Sequence, residues 1–521
     1  MHDCARLCAS LASKHIAAGL HPLIDACGSS FSLELRVRLV RSMSLYRGRS
    51  FRRRSLHSGV AMAEQAQGQR KPFVLETDAV VIGAGLAGIA AAIHLARGGF
   101  RVVCLEHRRE IRNTVGESLD WSAPALFAGL GLSMEELIGA ETATWKRHIT
   151  VVEAHCGEKT FLPGAWLAES PWNVEVRTLH LDRDGTDASL REMARRLGIQ
   201  ILHERVDDFA VMDEADPRSR RILGLRTAEG TFVRGAWFID ASGSDASILG
   251  RRFGLKATSY GPRKVAMWAH IPANDRAEGT TLYMTRRPGE YMEWIWEIPI
   301  GAGVSSVGYI APGSRVKAQR ASGLSTQEIY TRQCKQFSRL ESLMGQTPAF
   351  HFATTTFLCR TYNQVCGANW VIIGEAASQS DPITGNGVTA ALRHAEEAVA
   401  LINRHLHRGT IPVFARRVYD RRVRSVGLYF NSLIEKIFYQ PMLRDRLGLF
   451  GTARVYTVPA WLMNLIYSRM RPSRSLIRTL AITAGMDLLR AVTWAAFRIA
   501  TFFYPTPARV QTSQMERSYA L

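Results

Sequence analysis

The chain has 521 residues, 46% of them hydrophobic and 21% charged. It is therefore too apolar to be disordered and long enough for two or three lobes around a large core. The formal charge of +20 is unevenly placed: residues 1–61 hold 10 Lys+Arg against 3 Asp+Glu, and residues 404–521 hold 19 against 5. The centre is neutral and both ends are basic. A nucleic-acid enzyme gathers positive charge around its cleft, so that class is not expected. Basic ends point instead to an anionic surface, either a membrane or an acidic carrier protein. Eight cysteines without a CxxC pair argue for a reducing compartment.

Residues 1–61 are rich in Ser and Arg and run into Arg52-Arg53-Arg54. They read as a presequence or as a non-native extension, with Met62 opening the protein; the second is preferred.

Next comes a β-branched run, Asp78–Ile82, and the turn Gly83-Ala84-Gly85-Leu86-Ala87-Gly88. An Ala-rich helix over 89–97, a Gly98-Gly99 stop, a strand over 101–105 and Glu106 follow. Strand, Gly-rich turn, helix, strand and acid form a dinucleotide-binding unit. Gly83 and Gly85 let the backbone bend and approach a pyrophosphate. Gly88 lets helix pack on strand. Glu106 is expected to accept hydrogen bonds from a ribose, which argues against a 2′-phosphate.

Two later segments have the same character. Phe238–Gly243 is a strand that ends at Asp240 and a small-residue turn. Trp370–Gly374 is a strand followed by Glu375, and then by Asp381-Pro382-Ile383-Thr384-Gly385-Asn386-Gly387. A helix over 388–401 starts there, and its N-terminus can face an electron-rich ring or an anion. Between them, Glu293–Pro299 reads Glu-Trp-Ile-Trp-Glu-Ile-Pro. In a strand, Trp294, Trp296 and Ile298 share one face, and Ile295 and Glu297 the other.

Over about 76–430 this layout resembles the flavoprotein family of aromatic hydroxylases, geranylgeranyl reductases and flavin-dependent halogenases. The string at 294–299 matches the WxWxIP signature of the halogenases. Gly116-Glu117-Ser118 resembles a halogenase loop near the flavin. Lys146, after Trp145, matches the essential halogenase lysine. The resemblance implies an α/β fold: a Rossmann-type FAD-binding domain, an interleaved β-sheet substrate domain and a helical C-terminal extension. The expected boundaries are 76–144, 180–260 and 360–403 for the FAD segments, 145–180 and 260–360 for the substrate lobe, and 431–521 for the extension.

The implied activity is halogenation of a phenolic or pyrrolic ring, through a flavin C4a-hydroperoxide and hypohalous acid. FAD would arrive reduced from a separate flavin reductase, and chloride or bromide would be co-substrate. The implied catalytic residues are Lys146, Trp294 and Trp296. The implied cofactor residues are Gly83, Gly85, Gly88, Glu106, Gly116, Glu117, Ser118, Asp240, Gly374, Glu375, Pro382, Gly385, Asn386 and Gly387. The tryptophan halogenases carry a glutamate after the Pro of the late motif; here Ile383 and Thr384 follow Pro382, so free tryptophan is not the expected substrate. The Thr-Gly-Asn-Gly turn and Glu375, in place of the usual Asp, also resemble the hydroxylases and lipid reductases, which remain the alternative. A small aromatic substrate is expected, free, carrier-bound or lipophilic. The chain is expected to be cytoplasmic, with the basic, apolar stretch 476–504 lying on an anionic membrane or packing as a lid. No metal-ligand spacing and no nucleic-acid feature is found.

Overall fold

The computed structural model describes residues 73–503 except 110–113, 155–156, 163–176, 213–218, 245–246, 274–277, 286–288, 302, 348–349, 442–443, 446–447 and 449–475. The basic segment 1–61 lies outside the described residues.

The first predicted strand spans Val74–Ile82, four residues more than its β-branched run, because Val74 already pairs with Phe232. It lies in parallel between Val102–Leu105 and Phe232–Asp240. Gln200–Leu202 extends the sheet on one side, and Arg221–Thr227 and Val206–Met212 on the other. Trp370–Ile372 also pairs in parallel with Phe232–Asp240. Three strands thus end side by side, at Ile82, Asp240 and Ile372, each running into a loop with predicted cofactor residues. Ligands bind at such carboxyl ends in parallel sheets.

The helix Leu86–Arg97 buries Ile89, Ala90, Ala91, Ala92, Ile93 and Leu95 against this sheet. Small alanines let it lie close. The helix Arg183–Arg196 starts where the Asp182 side chain caps it by accepting from Asp184 N at 3.1 Å. The helix predicted over 388–401 spans Gly387–Arg404.

A second sheet runs in the order Phe352–Phe357, Lys264–Pro272, Val304–Pro312, Trp294–Gly301, Thr280–Met284, Ile149–Glu153 and Gly157–Phe161. One face, with Trp294, Trp296, Ile298 and Ile300, packs with Tyr429, Phe430 and Leu433 of the helix Val413–Ile434. The other, with Ile295, Val307 and Tyr309, packs under Ile329, Tyr330 and Leu340. The period-two pattern around the tryptophans therefore separates two cores. Gly308 pairs with Trp296, and a Cβ there would meet its indole at 2.0 Å, so a glycine is needed opposite the ring.

The helix Leu476–Phe503 packs alongside Val413–Ile434. Met486 enters the tryptophan core, Asp487 pairs with Arg421 at 3.0 Å, and Lys436 stands 3.7 Å from the Trp494 ring centroid.

Candidate active site

The first Gly-rich turn is built from three different constraints. Gly83 has φ +96, and a Cβ on it would meet Ala241 O at 2.4 Å. A Cβ on Gly88 would meet Gly83 O at 1.9 Å. Around a Cβ on Gly85, in contrast, nothing lies within 4 Å. Gly83 and Gly88 are required by the protein, and Gly85 leaves open space at a helix N-terminus, where a pyrophosphate fits. Glu106 is 3% exposed and accepts from Ala84 N and Arg108 N, both at 2.9 Å. Burial works against its charge, but those N–H donors outweigh it and hold the carboxyl below its ordinary value. It fixes the turn to the end of the second strand, besides any ribose contact.

Asp240 faces inward. It is fully buried; one oxygen accepts from Ser242 N at 3.0 Å, the other from Ser247 Oγ at 2.5 Å and Leu249 N at 2.8 Å. It holds the loop whose Ala241 carbonyl lies against Gly83. Gly374 has φ +61 and packs against Ala87 and Ala391. Glu375, beside it, is exposed.

The remaining predicted residues converge from four parts of the chain. Gly116, at φ +112, lies against Arg183 and Val388. Arg183 is held by Asp187 at 3.0 Å and donates to Val115 O at 3.0 Å. Glu117 is 2% exposed; one oxygen accepts from Gly116 N at 2.9 Å, the other from Ser306 Oγ at 2.8 Å. Ser306 Oγ in turn accepts from Trp296 Nε1 at 3.0 Å. The Trp296 indole is thereby tied to the loop 116–118.

Trp294 is tied elsewhere. Its Nε1 donates to Tyr439 Oη at 2.8 Å, and that hydroxyl donates to Asp381 Oδ1 at 2.9 Å. Asp381 opens the late turn, accepting from Ile383 N at 3.1 Å. Gly385 closes it with φ +62 and a bond from its N to Pro382 O at 3.0 Å. Asn386, 5% exposed, precedes the helix Gly387–Arg404. The two indoles sit 5.7 Å apart, at 50°. Each signature tryptophan thus anchors one of two loops through its N–H.

Lys146 lies where those loops meet. It directly follows the strand Ala143–Trp145. Its Nζ donates to Leu119 O at 3.0 Å and lies 3.8 Å from where a Cβ on Gly385 would be; Ser118 O and Oγ flank the same point at 3.2 and 3.8 Å. Lys146 keeps some accessible surface, yet its ammonium sits deep in the protein. Burial pushes its pKa down to about 8, opposed by the charge of Asp120. Thr280 Oγ1 contacts Ser118 Oγ at 3.3 Å and His180 Nε2 at 2.9 Å. Burial, helped by the nearby Lys146, holds His180 well below the ordinary histidine value, so it is neutral here.

Sequence reasoning missed Tyr439, Lys264, Ser306, Arg183 and Thr389. The first four are lone polar residues without a motif, joined to the site only by the fold; Thr389 lies two residues past the late turn. The Thr389 hydroxyl, fully buried in the first turn of the helix Gly387–Arg404, has no protein partner. That unpartnered hydroxyl and, separately, the open space at Gly85 both fit a bound dinucleotide.

A parallel sheet with three loops at its carboxyl end, a glycine turn open at Gly85 and a second sheet across the site define a two-lobed flavoprotein. The tryptophan halogenase profile matches residues 169–446, more than half of the chain, and an FAD-binding domain profile matches 78–159. The chain belongs to the tryptophan halogenase family. It is an FAD-dependent flavoprotein enzyme, a flavin-dependent halogenase with a halide as co-substrate. It is 27% identical, over 62% of its length and 74% of the relative's, to the 1H-pyrrole-2-carbonyl-[peptidyl-carrier protein] chlorinase of Pseudomonas fluorescens. It is 25% identical, over 73% of each chain, to a tryptophan 2-halogenase of Chondromyces crocatus. Its fold is similar to that of the flavin-dependent halogenase CmlS, with a TM-score of 0.60 and 23% identity over 81% of this chain and 77% of that one.

Proposed function

We propose that the chain halogenates an electron-rich phenol or pyrrole, free or carrier-bound, using reduced flavin delivered by a separate reductase. The observation that supports this most is the meeting of Lys146, Ser118 and Gly385 between two loops, each fixed by one signature tryptophan. Bound reduced FAD supplies the activation of oxygen. Gly83, Gly85 and Gly88 would seat it, Glu106, Asp240 and Gly374 shape the surrounding loops, and Gly116, Glu117 and Glu375 would help to hold it. The turn Pro382–Gly385, with Asn386 and Gly387 opening the helix, holds the halide at helix N–H groups. The Lys146 ammonium, with one donor on Leu119 O, offers its others to hypohalous acid and presents it to the ring. Trp294 and Trp296 wall the ring from the flavin.

Asp381 is not available as a base toward the substrate. Its oxygens are engaged by Tyr439, Ile383 N and Lys264. A ring that activates itself, a phenol or pyrrole, fits this turn better than an indole needing a carboxylate, and the similarity to a carrier-bound pyrrole chlorinase agrees. In competition assays with bromide, 4-hydroxybenzoate or a carrier-bound pyrrole-2-carbonyl should be brominated at least about tenfold faster than tryptophan, the discrimination of roughly 1.4 kcal/mol in the transition state. Preference for tryptophan would overturn the substrate reading.

Among the described residues no helix is long and apolar enough to cross a membrane. The helix Leu476–Phe503 nevertheless exposes Ile477, Leu488, Val492 and Ile499 along one side, in a tail rich in arginine. We propose that this side rests on an anionic bilayer. Liposomes with about 30% anionic lipid should carry the wild type on flotation and leave the Leu488→Asp, Val492→Asp double variant behind. Equal recovery of both in the soluble fraction would leave the helix as a lid alone.

A further inference from the structure

Lys264 is a lysine with 1% exposure at the start of the strand Lys264–Pro272, far from any motif. Its Nζ lies 2.8 Å from Asp381 Oδ2, 3.8 Å from Glu435 Oε2 and 3.9 Å from Cys359 Sγ. Three rings surround it, with centroids at 3.9 Å (Tyr439), 5.8 Å (Tyr291) and 6.0 Å (Phe357). Tyr291 Oη donates to Glu435 Oε2 at 2.6 Å, and Tyr439 Oη to Asp381 Oδ1. Asp381 begins the turn that ends at Gly385, and its other bond caps Ile383 N.

The chemistry of this cluster is odd for its position. Asp381 opens the turn read above as the halide site, and a second carboxylate, Glu435, shares its lysine. A buried carboxylate repels an anion at several ångströms far more strongly than one in water. Lys264 is the cation placed against both. Aromatic faces add to the holding of the ammonium, so that it is desolvated but paired on every side.

We propose that Lys264 is a positioning residue for the halide: it fixes Asp381, and so the turn Pro382–Gly385, and it offsets the Asp381 charge that would otherwise repel the anion. The inference rests on the reading of that turn as the halide site. Lys264 touches neither substrate nor flavin in this role; it acts through Asp381. The link from Trp294 through Tyr439 joins the same carboxylate to the tryptophan wall.

The test is the halide dependence of bromination by the holoenzyme, read as KM and kcat for bromide, with flavin binding measured separately. Lys264→Met should raise the bromide KM about tenfold or more, the effect of an uncompensated buried charge at several ångströms. Asp381→Asn keeps an oxygen to cap Ile383 N but unmasks the lysine, and should lower it. The double variant should return near the wild-type value, and Lys264→Arg should stay close to it. A merely structural pair would give three weakened enzymes with KM changes of one sign. An unchanged KM in Lys264→Met, or a raised KM in Asp381→Asn, overturns the inference. If Lys264→Met does not fold, the sign of the change in Asp381→Asn and the recovery in the double variant decide it. A wild-type enzyme that consumes reduced flavin but brominates nothing at any bromide concentration overturns instead the halogenase reading of the site.

Discussion

Lys146→Ala should abolish halogenation, by about a thousandfold or more, while FAD binding and peroxide release by the reduced enzyme persist. The magnitude is that of removing a positioned donor from a desolvated site. The separation of the two readouts follows from place. The lysine meets Ser118, Leu119 and Gly385, whereas the flavin seat at Gly83–Gly88 is built from other residues. Alanine removes an ammonium that packs no core, so the fold should survive. The pH dependence carries a sign. Burial has pushed this lysine down to about 8, so the ammonium is lost as pH rises through about 8. An unperturbed lysine would keep its proton to about 10.4. The ratio of halogenated product to peroxide in the wild type should therefore fall through pH 8. A ratio that rises there would assign the role to the neutral amine, and near wild-type halogenation by Lys146→Ala would remove the residue from the site.

The second large effect separates two glycines of one turn. Gly85→Val should give a folded, colourless protein, because its Cβ meets nothing of the protein and enters the space left for the cofactor. Gly88→Val should fail to fold, because a Cβ there would lie 1.9 Å from Gly83 O and force the helix off the sheet. Flavin absorbance reports the first loss, and thermal unfolding or yield the second. Stoichiometric flavin in Gly85→Val would misplace the pyrophosphate. A stable, yellow Gly88→Val protein would contradict the packing of the turn.

Much of this was legible in the residues, for physical reasons that differ along the chain. The strand–turn–helix at 74–97 declares itself because local spacing alone dictates it: β-branched residues, three glycines at fixed offsets, then alanines. The faces of Trp294 and Trp296 follow from strand periodicity, and two separate cores keep them apart. What the tryptophans are tied to was not legible. Ser306 reaches Glu117 across 189 positions, and Lys264 reaches Asp381 across 117, and nothing in a lone serine or lysine announces such a partner. The place of Asp240 at a strand end was legible, but its hold on Ser242, Ser247 and Leu249 was not. Lys146 was legible only through the resemblance to the halogenase lysine; its approach to Gly385 comes from the fold.

The central claim, that this site makes a carbon–halogen bond rather than a carbon–oxygen one, rests on a single measurement. The purified enzyme, with FAD, a flavin reductase, NADH and bromide, is given 4-hydroxybenzoate, and the product is read by mass spectrometry. The account predicts a product with the bromine isotope doublet, dependent on bromide and absent with Lys146→Ala. A product that gains only one oxygen, equally with and without bromide, would contradict it.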